Sequence, residues 1–429
     1  MADRHLEQLL GILKSSGADA WEVADINERG WEFYFIRHRL DQHRAKAVDS
    51  FSVKVYKKLE NGKLLGSASA KIAPDASEEE MRRTVEGLCR DAAYVRNPFY
   101  TLLSPSGDKP EAEPAPLDMR AVCEAFLQAM RAVPETETED LNSYEIFVSE
   151  IRRRFLNSNG VDVTSVYPSS MVEAVINARR EGHEIELYRM LKSGTCDRDQ
   201  LVKELTEALA CGKDRLKTVP TPALGKADVV FSTSEARELY CYFLARLDAA
   251  MVYRGMSDWK TGDTVAPENM TLQAVRFLPN SSWNTPYDEE GAPIRDRILI
   301  DHGKAVSYYG RRQFSQYMNL DSSFDVYNFT VSGGTESEAE LRAGDYLEVM
   351  DFSDFSVDEI TGDIAGEIRL AYLHQDGKVI PVSGGSVSGS MADLVKTMRF
   401  SKETRQYNNH LIPSVTRLKD VTVTGAEGD

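Results

Sequence analysis

The chain has 429 residues, of which 42% are hydrophobic and 28% are charged, and its formal net charge is −17. This balance is ordinary for a soluble globular protein, and the length favours two domains over one. The negative charge argues against a nucleic-acid partner, because phosphate binding needs a positive surface, and no apolar run approaches the roughly 20 residues that span a bilayer, so we expect no membrane partner.

The N-terminus and the cysteines both indicate the cytoplasm. Residues 1–7 carry acidic side chains and lack the long apolar core of a signal peptide. No cysteine belongs to a Cys-x-x-Cys pair, which favours reduced thiols over a disulfide framework or a zinc knuckle. The five cysteines are Cys89, Cys123, Cys196, Cys211 and Cys241. We therefore expect a cytoplasmic protein.

The N-terminal half alternates between helix and strand signals. An amphipathic helix is predicted over residues 3–16, and strands follow it. Asn61-Gly62 supplies the positive φ angles of a tight hairpin between two strands. Ser77 opens the next helix with Glu80 three residues later, which is the pattern of a capping box. These signals predict mixed α and β structure.

A proline-rich segment divides this half of the sequence. Residues 101–117 hold four prolines and few apolar side chains, which predicts an exposed connection. Residues 144–191 are rich in strand patterns, with a turn at Asn157-Ser158-Asn159-Gly160. Asp197 then caps a further helix. The segment as a whole predicts a sheet with helices packed against it.

Residues 220–223, Pro-Thr-Pro-Ala, mark the predicted domain boundary. Beyond it, residues 229–231 predict a strand and residues 234–250 a helix. Short strands dominate the remainder of the chain. We therefore predict an α+β fold in which residues 1–220 form an α/β-sandwich-like domain and residues 221–429 a β-rich, barrel-like domain.

The sequence does not complete a zinc-peptidase motif on any predicted helix. Such a motif needs two histidines one turn apart and a glutamate beside the first as general base. His183-Glu184 begins the pattern, but Leu187 and Tyr188 stand where the second histidine belongs. The alternation around His183 predicts a strand with a solvent-facing histidine.

Ser388-Gly389-Ser390 allows two interpretations. A short helix is predicted from Ser390 to Met398, so free backbone N–H groups at its start can hold a carboxylate of a ligand. Simple capping of that helix by Ser390 is the more economical alternative. A phosphate loop is excluded because Ser390 stands where a lysine belongs.

Asp288, Glu289 and Glu290 lie together before Gly291. Crowded carboxylates raise one another's pKa, so such a cluster can hold a proton for acid–base work, and it can also hold a cation. A solvated acidic turn is the commonest interpretation. The candidate substrate-binding residues are Asp288, Glu290, Gly291, Ser388 and Gly389, and we assign none as catalytic.

Five short motifs follow one another in the C-terminal half. In order they are Asp288-Glu289-Glu290-Gly291, Ser332-Gly333-Gly334, Thr361-Gly362-Asp363, Ser386-Val387-Ser388-Gly389 and Pro413-Ser414-Val415. Their order and separation resemble the TldD/PmbA family of bacterial cytosolic peptide-processing proteins, over most of the chain and more firmly from about Val229. The resemblance implies two kinds of subunit that pair around a chamber, where the zinc-bearing TldD subunit cleaves unfolded peptides.

The resemblance also indicates which subunit this chain is similar to. The TldD motif His-Glu-x-x-x-His is expected on the helix over residues 234–250, where Cys241 and Tyr242 align with His-Glu and Arg246 with the second histidine. That helix contains no histidine, and no cysteine follows Cys241. The resemblance thus implies a non-catalytic PmbA (TldE)-like subunit that binds no cofactor, with zinc in a TldD-like partner, and a homodimer when the chain is made alone.

Two alternatives stay open at this point. The chain can be a self-sufficient hydrolase with an atypical site, such as His302 with Asp288 and Glu290. It can also be a regulatory binding protein of the gyrase-modulator type without peptidase activity. Metal content separates the hydrolase from the subunit, and co-purification separates the subunit from the regulator.

Overall fold

The computed structural model describes residues 2–107, 117–320 and 323–426. Three prolines of the predicted connection, Pro110, Pro114 and Pro116, lie outside these ranges. The α-helices are α1 (Ala2–Ser15), α2 (Glu78–Ala92), α3 (Met119–Arg131), α4 (Arg198–Arg215), α5 (Ala236–Ala245), α6 (Ala249–Tyr253), α7 (Arg312–Tyr317), α8 (Glu338–Leu341) and α9 (Met391–Leu394).

The strands carry most of the ordered structure. They are β1 (Ala20–Ile36), β2 (Arg39–Leu59), β3 (Leu64–Ile72), β4 (Asn97–Pro98), β5 (Glu139–Asn157), β6 (Asp162–Arg180), β7 (His183–Ser193), β8 (Val219–Pro220), β9 (Gly225–Phe231), β10 (Thr271–Val275), β11 (Arg297–Asp301), β12 (Lys304–Ala305), β13 (Asn328–Ser332), β14 (Tyr346–Val357), β15 (Asp363–Gln375), β16 (Lys378–Ser383), β17 (Ser386–Ser390), β18 (Arg399–Phe400), β19 (Thr404–Tyr407), β20 (His410–Pro413) and β21 (Thr416–Thr424).

The N-terminal part is a seven-stranded antiparallel sheet covered by helices on one face. The strand order is β4-β3-β2-β1-β5-β6-β7. Helices α1 and α2 cover one half, where Leu9 and Met81 share a core with Val23. Helices α3 and α4 cover the other half around Ile146 and Leu205. Because Val23 and Ile146 point to the same side in the register of β1 and β5, the opposite face is free of these helices.

Local sequence signals decide where these helices begin. Ser77 and Glu80 exchange both hydrogen bonds of a capping box at the start of α2. The side chain of Asp197 accepts a hydrogen bond from the Gln200 N–H at the start of α4. The predicted turn at Asn61-Gly62 is also present, although it takes the form of a short 3-10 segment between β2 and β3.

The C-terminal part contains a closed barrel. Strands β14, β9, β21, β17 and β15 are neighbours in that order, and β14 also pairs with β15, which closes a five-stranded ring. A second sheet, β12-β11-β10-β13-β20-β19, shares its core with the barrel. Leu272 and Phe329 of that sheet join Val229 and Leu418 of the barrel in one buried cluster. The predicted α+β fold with a β-rich, barrel-like C-terminal part is confirmed.

Two predicted helices are wrong in extent. The helix predicted over residues 234–250 is two helices, because the Asp248 side chain accepts the Ala250 N–H and starts α6 separately. The helix predicted from Ser390 to Met398 is only the four residues of α9 and a following 3-10 turn. Strand β17 instead extends to Ser390, because its backbone pairs with both of its neighbours in the barrel, β15 and β21.

The predicted boundary at residues 220–223 lies where the chain has already entered the C-terminal sheet. Strand β8 pairs with β16, and the Thr221 N–H donates to the Ser383 carbonyl. The division of the chain at residue 220 stays a prediction. In the described ranges, the helices are all too short or too polar to cross a bilayer.

The Ser332-Gly333-Gly334 motif is a point of close backbone approach. A Cβ atom on Gly334 would lie 2.0 Å from the Ser401 carbonyl oxygen, and one on Gly333 would lie 1.6 Å from that of Asn269. Real side chains never approach a backbone atom so closely, and the Ser401 N–H is itself bonded to the Val415 carbonyl. The glycines are therefore required by packing between strands rather than by chemistry.

Gly334→Ala should lower the free energy of unfolding by more than about 3 kcal/mol, because the new methyl group displaces paired backbone. Gly11→Ala is the matched control, since nothing lies within 4 Å of a Cβ there and it sits inside α1. That control should stabilise the protein by up to about 1 kcal/mol. Urea unfolding measures both, and similar small changes in the two variants would contradict the packing explanation.

Candidate functional site

Helix α5 carries the three residues that align with the zinc-peptidase motif. It follows β9 and packs into the barrel core through Leu239 and Phe243, which are fully buried. Cys241, Tyr242 and Arg246 lie along this helix and at its end. Their surroundings show what these positions do in this chain.

Arg246 is held by its own neighbourhood. Its Nη1 donates to the Met256 carbonyl at 2.9 Å and to the Ile360 carbonyl at 2.7 Å. Its Nη2 bonds to the carboxylate of Asp258, and the guanidinium lies 5.4 Å from the centroid of the Trp259 ring. The side chain is 7% exposed. Arg246 therefore ties the end of α5 to two loops.

Tyr242 completes an aromatic cluster beside that arginine. Its ring meets Trp259 edge to face at 5.8 Å between centroids and Phe243 at 5.6 Å. A Cβ on Gly362 would lie 3.2 Å from the Tyr242 hydroxyl, so the turn containing Thr361-Gly362-Asp363 packs directly on this ring. The Thr361-Gly362-Asp363 turn and helix α5 are thus packed against each other.

These side chains do not fit a zinc ion. A zinc site needs thiolate, neutral imidazole or carboxylate donors on one side of the helix. Burial raises the pKa of the Cys241 thiol to about 12, which keeps it protonated. Arg246 adds a fixed positive charge where a second ligand would stand. Elsewhere in the described ranges, no group of three His, Cys, Asp or Glu side chains is arranged to hold a metal ion.

The acidic turn is not solvated throughout, which corrects the sequence interpretation. Asp288 is 2% exposed, whereas the side chain of Glu289 is 58% exposed. The Asp288 Oδ1 accepts the N–H groups of Glu290 and Ala292 at 2.9 and 2.8 Å, and its Oδ2 accepts that of Asp325 at 3.2 Å. Asp288 is buried because its carboxylate organises the turn from inside.

The same turn joins the two parts of the chain. Arg153, on the helix-free face of the N-terminal sheet, donates to the carbonyls of Asp288 and Glu289. Glu290 accepts the N–H of Arg312 at 2.9 Å, at the start of α7. The Arg312 side chain then donates to the Thr101 carbonyl at 2.7 Å. The turn is a junction between the N-terminal sheet and the barrel region.

Burial perturbs the carboxyl groups at this junction. It raises the pKa of Asp288 to about 7, helped by the charges of Asp325 and Glu290. Burial likewise raises the pKa of Asp325 to about 6, although Arg311 opposes the shift. Arg311 pairs with both Glu289 and Asp325, at 2.9 and 3.4 Å. Near neutral pH, these two carboxyl groups therefore hold a proton inside the packed junction.

The remaining candidate residues are backbone positions. Gly291 has φ +79°, and a Cβ there would lie 2.7 Å from the Phe155 ring, so only glycine fits. Ser388 and Gly389 lie in β17 between β15 and β21. The prediction of free N–H groups at a helix start is therefore wrong for these residues, and Ser390 makes no side-chain cap either.

The histidines do not assemble into a site. His183 begins β7 and is exposed, as the alternation predicted. His302 pairs with the adjacent Asp301 at 2.8 Å and is 79% exposed at its side chain. Across the described ranges, no hydrogen bond or ion pair links His302 to Asp288 or Glu290. The atypical hydrolase site has no geometric support.

Sequence analysis missed a cleft of substantial size. It has a volume of about 660 Å³ and lies between the edge strand β7, helix α4 and the barrel side of the structure. An ion pair of Arg189 with Asp351, 2.9 Å long, spans it from β7 to β14. Arg237 and Arg369 add further cations to its lining. Because its walls are far apart in the sequence, no local motif signals it.

These features define a class of protein. Residues 224–425 match the family described as PmbA/TldA metallopeptidase C-terminal domain. The C-terminal half of the chain is therefore a domain of the PmbA/TldD family, and the chain is PmbA/TldE-like.

The chain is similar to particular relatives over most of its length. A metalloprotease PmbA homolog of Haemophilus influenzae is 22% identical over 391 residues, 85% of this chain and 84% of that protein. The structure of TldE from Thermococcus kodakarensis superimposes with a TM-score of 0.79 at 18% identity, covering 98% and 100% of the two chains. A candidate modulator of a DNA gyrase from Thermotoga maritima gives 0.76 at 16% identity, covering 99% and 100%.

Asp288→Ala should lower the free energy of unfolding by roughly 1–3 kcal/mol, because three backbone N–H groups lose their acceptor. Glu289→Ala is the matched control from the same turn, and its exposed ion pair should contribute no more than about 0.5 kcal/mol. Urea unfolding at pH 6 measures both. Equal small losses in the free energy of unfolding of the two variants would indicate that Asp288 is a solvated acid.

The stability contribution of Asp288 should depend on pH. Its pKa is raised from 3.8 to about 7 in the folded protein, so the contribution is complete below about pH 4 and is lost as the pH rises to about 7. Asp288→Asn removes this titration. The free energy of unfolding of the wild type, minus that of the variant, should therefore fall by on the order of 2 kcal/mol between pH 5 and pH 8. A constant difference across this range would contradict the assignment.

Proposed function

We propose that this chain is a non-catalytic, PmbA (TldE)-like subunit that pairs in the cytoplasm with a zinc-bearing TldD-like subunit in the processing of unfolded peptides. The observation that carries the proposal is the environment of Arg246. Its two Nη groups donate to two carbonyls and a carboxylate, and its guanidinium lies over an indole ring, where a metal ligand would stand. A side chain tied in this way gives the helix a structural role.

The rest of the chain supports binding rather than bond cleavage. A zinc ion in such enzymes generates a nucleophilic water, and the motif positions on α5, Cys241, Tyr242 and Arg246, supply neither the two histidine ligands nor the glutamate base. The cleft beside β7 offers an unpaired sheet edge and an apolar floor that includes Phe126 and Leu201. Extended peptides add to such edges through main-chain hydrogen bonds. This chain would therefore hold substrate while the partner cleaves it.

The purified chain should contain far less than one zinc per chain and should not cleave an unfolded peptide such as reduced, carboxymethylated casein. When it is co-expressed with the His-Glu-x-x-x-His relative from its own genome, the two should elute together from size exclusion, burying on the order of 1,600 Å² or more. Chelator-sensitive cleavage should then follow the pair.

Two results would overturn this proposal. Stoichiometric zinc that is lost on mutating His183 or His302, together with cleavage by the chain alone, would favour the self-sufficient hydrolase. Separate elution of the two proteins at micromolar concentration would favour the regulatory binding protein. A homodimer of the chain made alone is compatible with the subunit role, because related subunits share a surface.

A further inference from the structure

The helix-free face of the N-terminal sheet carries an apolar surface around a pair of acids. By strand register, Glu145 of β5 lies directly opposite Glu173 of β6. Six apolar or aromatic side chains of the same face surround the pair: Tyr34, Phe147, Met171, Val175, Tyr188 and Met190. We call these eight residues the open face. Tyr188 and Met190 are 50% and 47% exposed, and the other members are part-buried.

The opposite side of the same strands shows what a packed face of this sheet looks like. Tyr144 and Ile146 alternate with Glu145 along β5 and are buried beneath α3 and α4. The open face has comparable apolar character without such a cover. Large contiguous apolar surfaces of this kind mark sites of interaction in soluble proteins.

The Glu145–Glu173 pair opposes the stability of the sheet. Residues directly opposite in an antiparallel sheet have Cβ atoms about 5 Å apart, and like charges there are destabilising. Burial and then the charge of Glu173 raise the pKa of Glu145. Neither carboxylate forms an ion pair within the described parts of the chain. The charge of Arg44, which lies over the Tyr34 ring at 4.9 Å, opposes this rise in the pKa of Glu145.

We propose that the open face binds an extended polypeptide segment in which arginine or lysine side chains alternate with apolar ones, with the cation between Glu145 and Glu173. A guanidinium group fits this place because it can bridge two carboxylates and also stack against the half-exposed Tyr188. The neighbouring Met171 and Met190 offer adaptable apolar contacts for the residues on either side. The inference rests on the proposed function insofar as it names the peptide that the subunit holds.

The same chemistry disfavours other occupants. A hard divalent cation takes six or more oxygen ligands, and this surface surrounds two carboxylates with apolar groups. A nucleic acid would meet uncompensated carboxylates at its phosphates. A peptide with a cationic side chain between apolar side chains matches both the acidic pair and its apolar surroundings.

The test uses three fluorescein-labelled peptides with the full chain, measured by fluorescence anisotropy. Each peptide has three Ser-Arg-Gly-Leu repeats, with Arg kept, replaced by neutral citrulline, or replaced by Glu. The Arg peptide should bind at least about tenfold more tightly than the citrulline peptide, because charge-assisted hydrogen bonds are roughly twice as strong as neutral ones. The Glu peptide should bind most weakly.

Matched variants locate the effect. Glu145→Gln with Glu173→Gln should remove the preference for Arg over citrulline while leaving the melting temperature the same or higher, because it removes a repulsion. Glu79→Gln with Glu86→Gln, two exposed acids of α2, should leave the preference intact. Tyr188→Ser with Met190→Ser should weaken binding of the Arg and citrulline peptides alike.

Failure of this inference is distinguishable from failure of the proposed function. Equal affinity for Arg and citrulline peptides, absence of binding, or a preference that survives Glu145→Gln with Glu173→Gln would overturn the open-face site. Those outcomes leave pairing with a zinc-bearing subunit untouched. Conversely, the chain can show an Arg preference that depends on both glutamates and yet pair with no such subunit. That result would support the open-face site and contradict the proposed function.

Discussion

Arg153 contacts the acidic turn and so joins the two halves of this molecule. It lies on the helix-free face of the N-terminal sheet and donates to the carbonyls of Asp288 and Glu289. Asp288 in turn binds three backbone N–H groups from within, so the carbonyls that Arg153 reaches are held in place. This small hydrogen-bonded unit fixes one contact between the sheet and the barrel region, and ion pairs such as Arg189–Asp351 add others. Burying the Asp288 carboxylate in this unit costs free energy.

The motifs that reveal the family are mainly solutions to packing problems. Gly333 and Gly334 allow carbonyls of neighbouring segments to approach, Gly291 fits against Phe155, and Gly362 fits against Tyr242. Such constraints act on the fold shared by all members, whatever chemistry each performs. This explains why the motifs are informative about kinship while saying little about activity.

The cleft and the open face share the edge strand β7, because Tyr188 and Met190 of the open face also line the cleft. Along this strand Leu187 is buried in the core beneath α4, whereas Tyr188 is half exposed. Alternation along a strand produces this division automatically. A polypeptide that reached the edge of the sheet would thus meet the cleft and the acidic pair together. The cleft lining carries acids such as Asp351 and bases such as Arg369.

The sequence by itself determined the mixed fold class, the caps at Ser77 and Asp197, and the absence of a zinc motif on the α5 segment, because each depends on residues near one another in the chain. Only the tertiary structure decided that Asp288 is buried, since exposure depends on Arg153 and Asp325, which are remote in sequence. It also decided that Ser388 and Gly389 belong to a strand, because β15 and β21 supply the hydrogen bonds that override the local helix signal. The Glu145–Glu173 pair likewise depends on strand register, and register is a property of the assembled sheet.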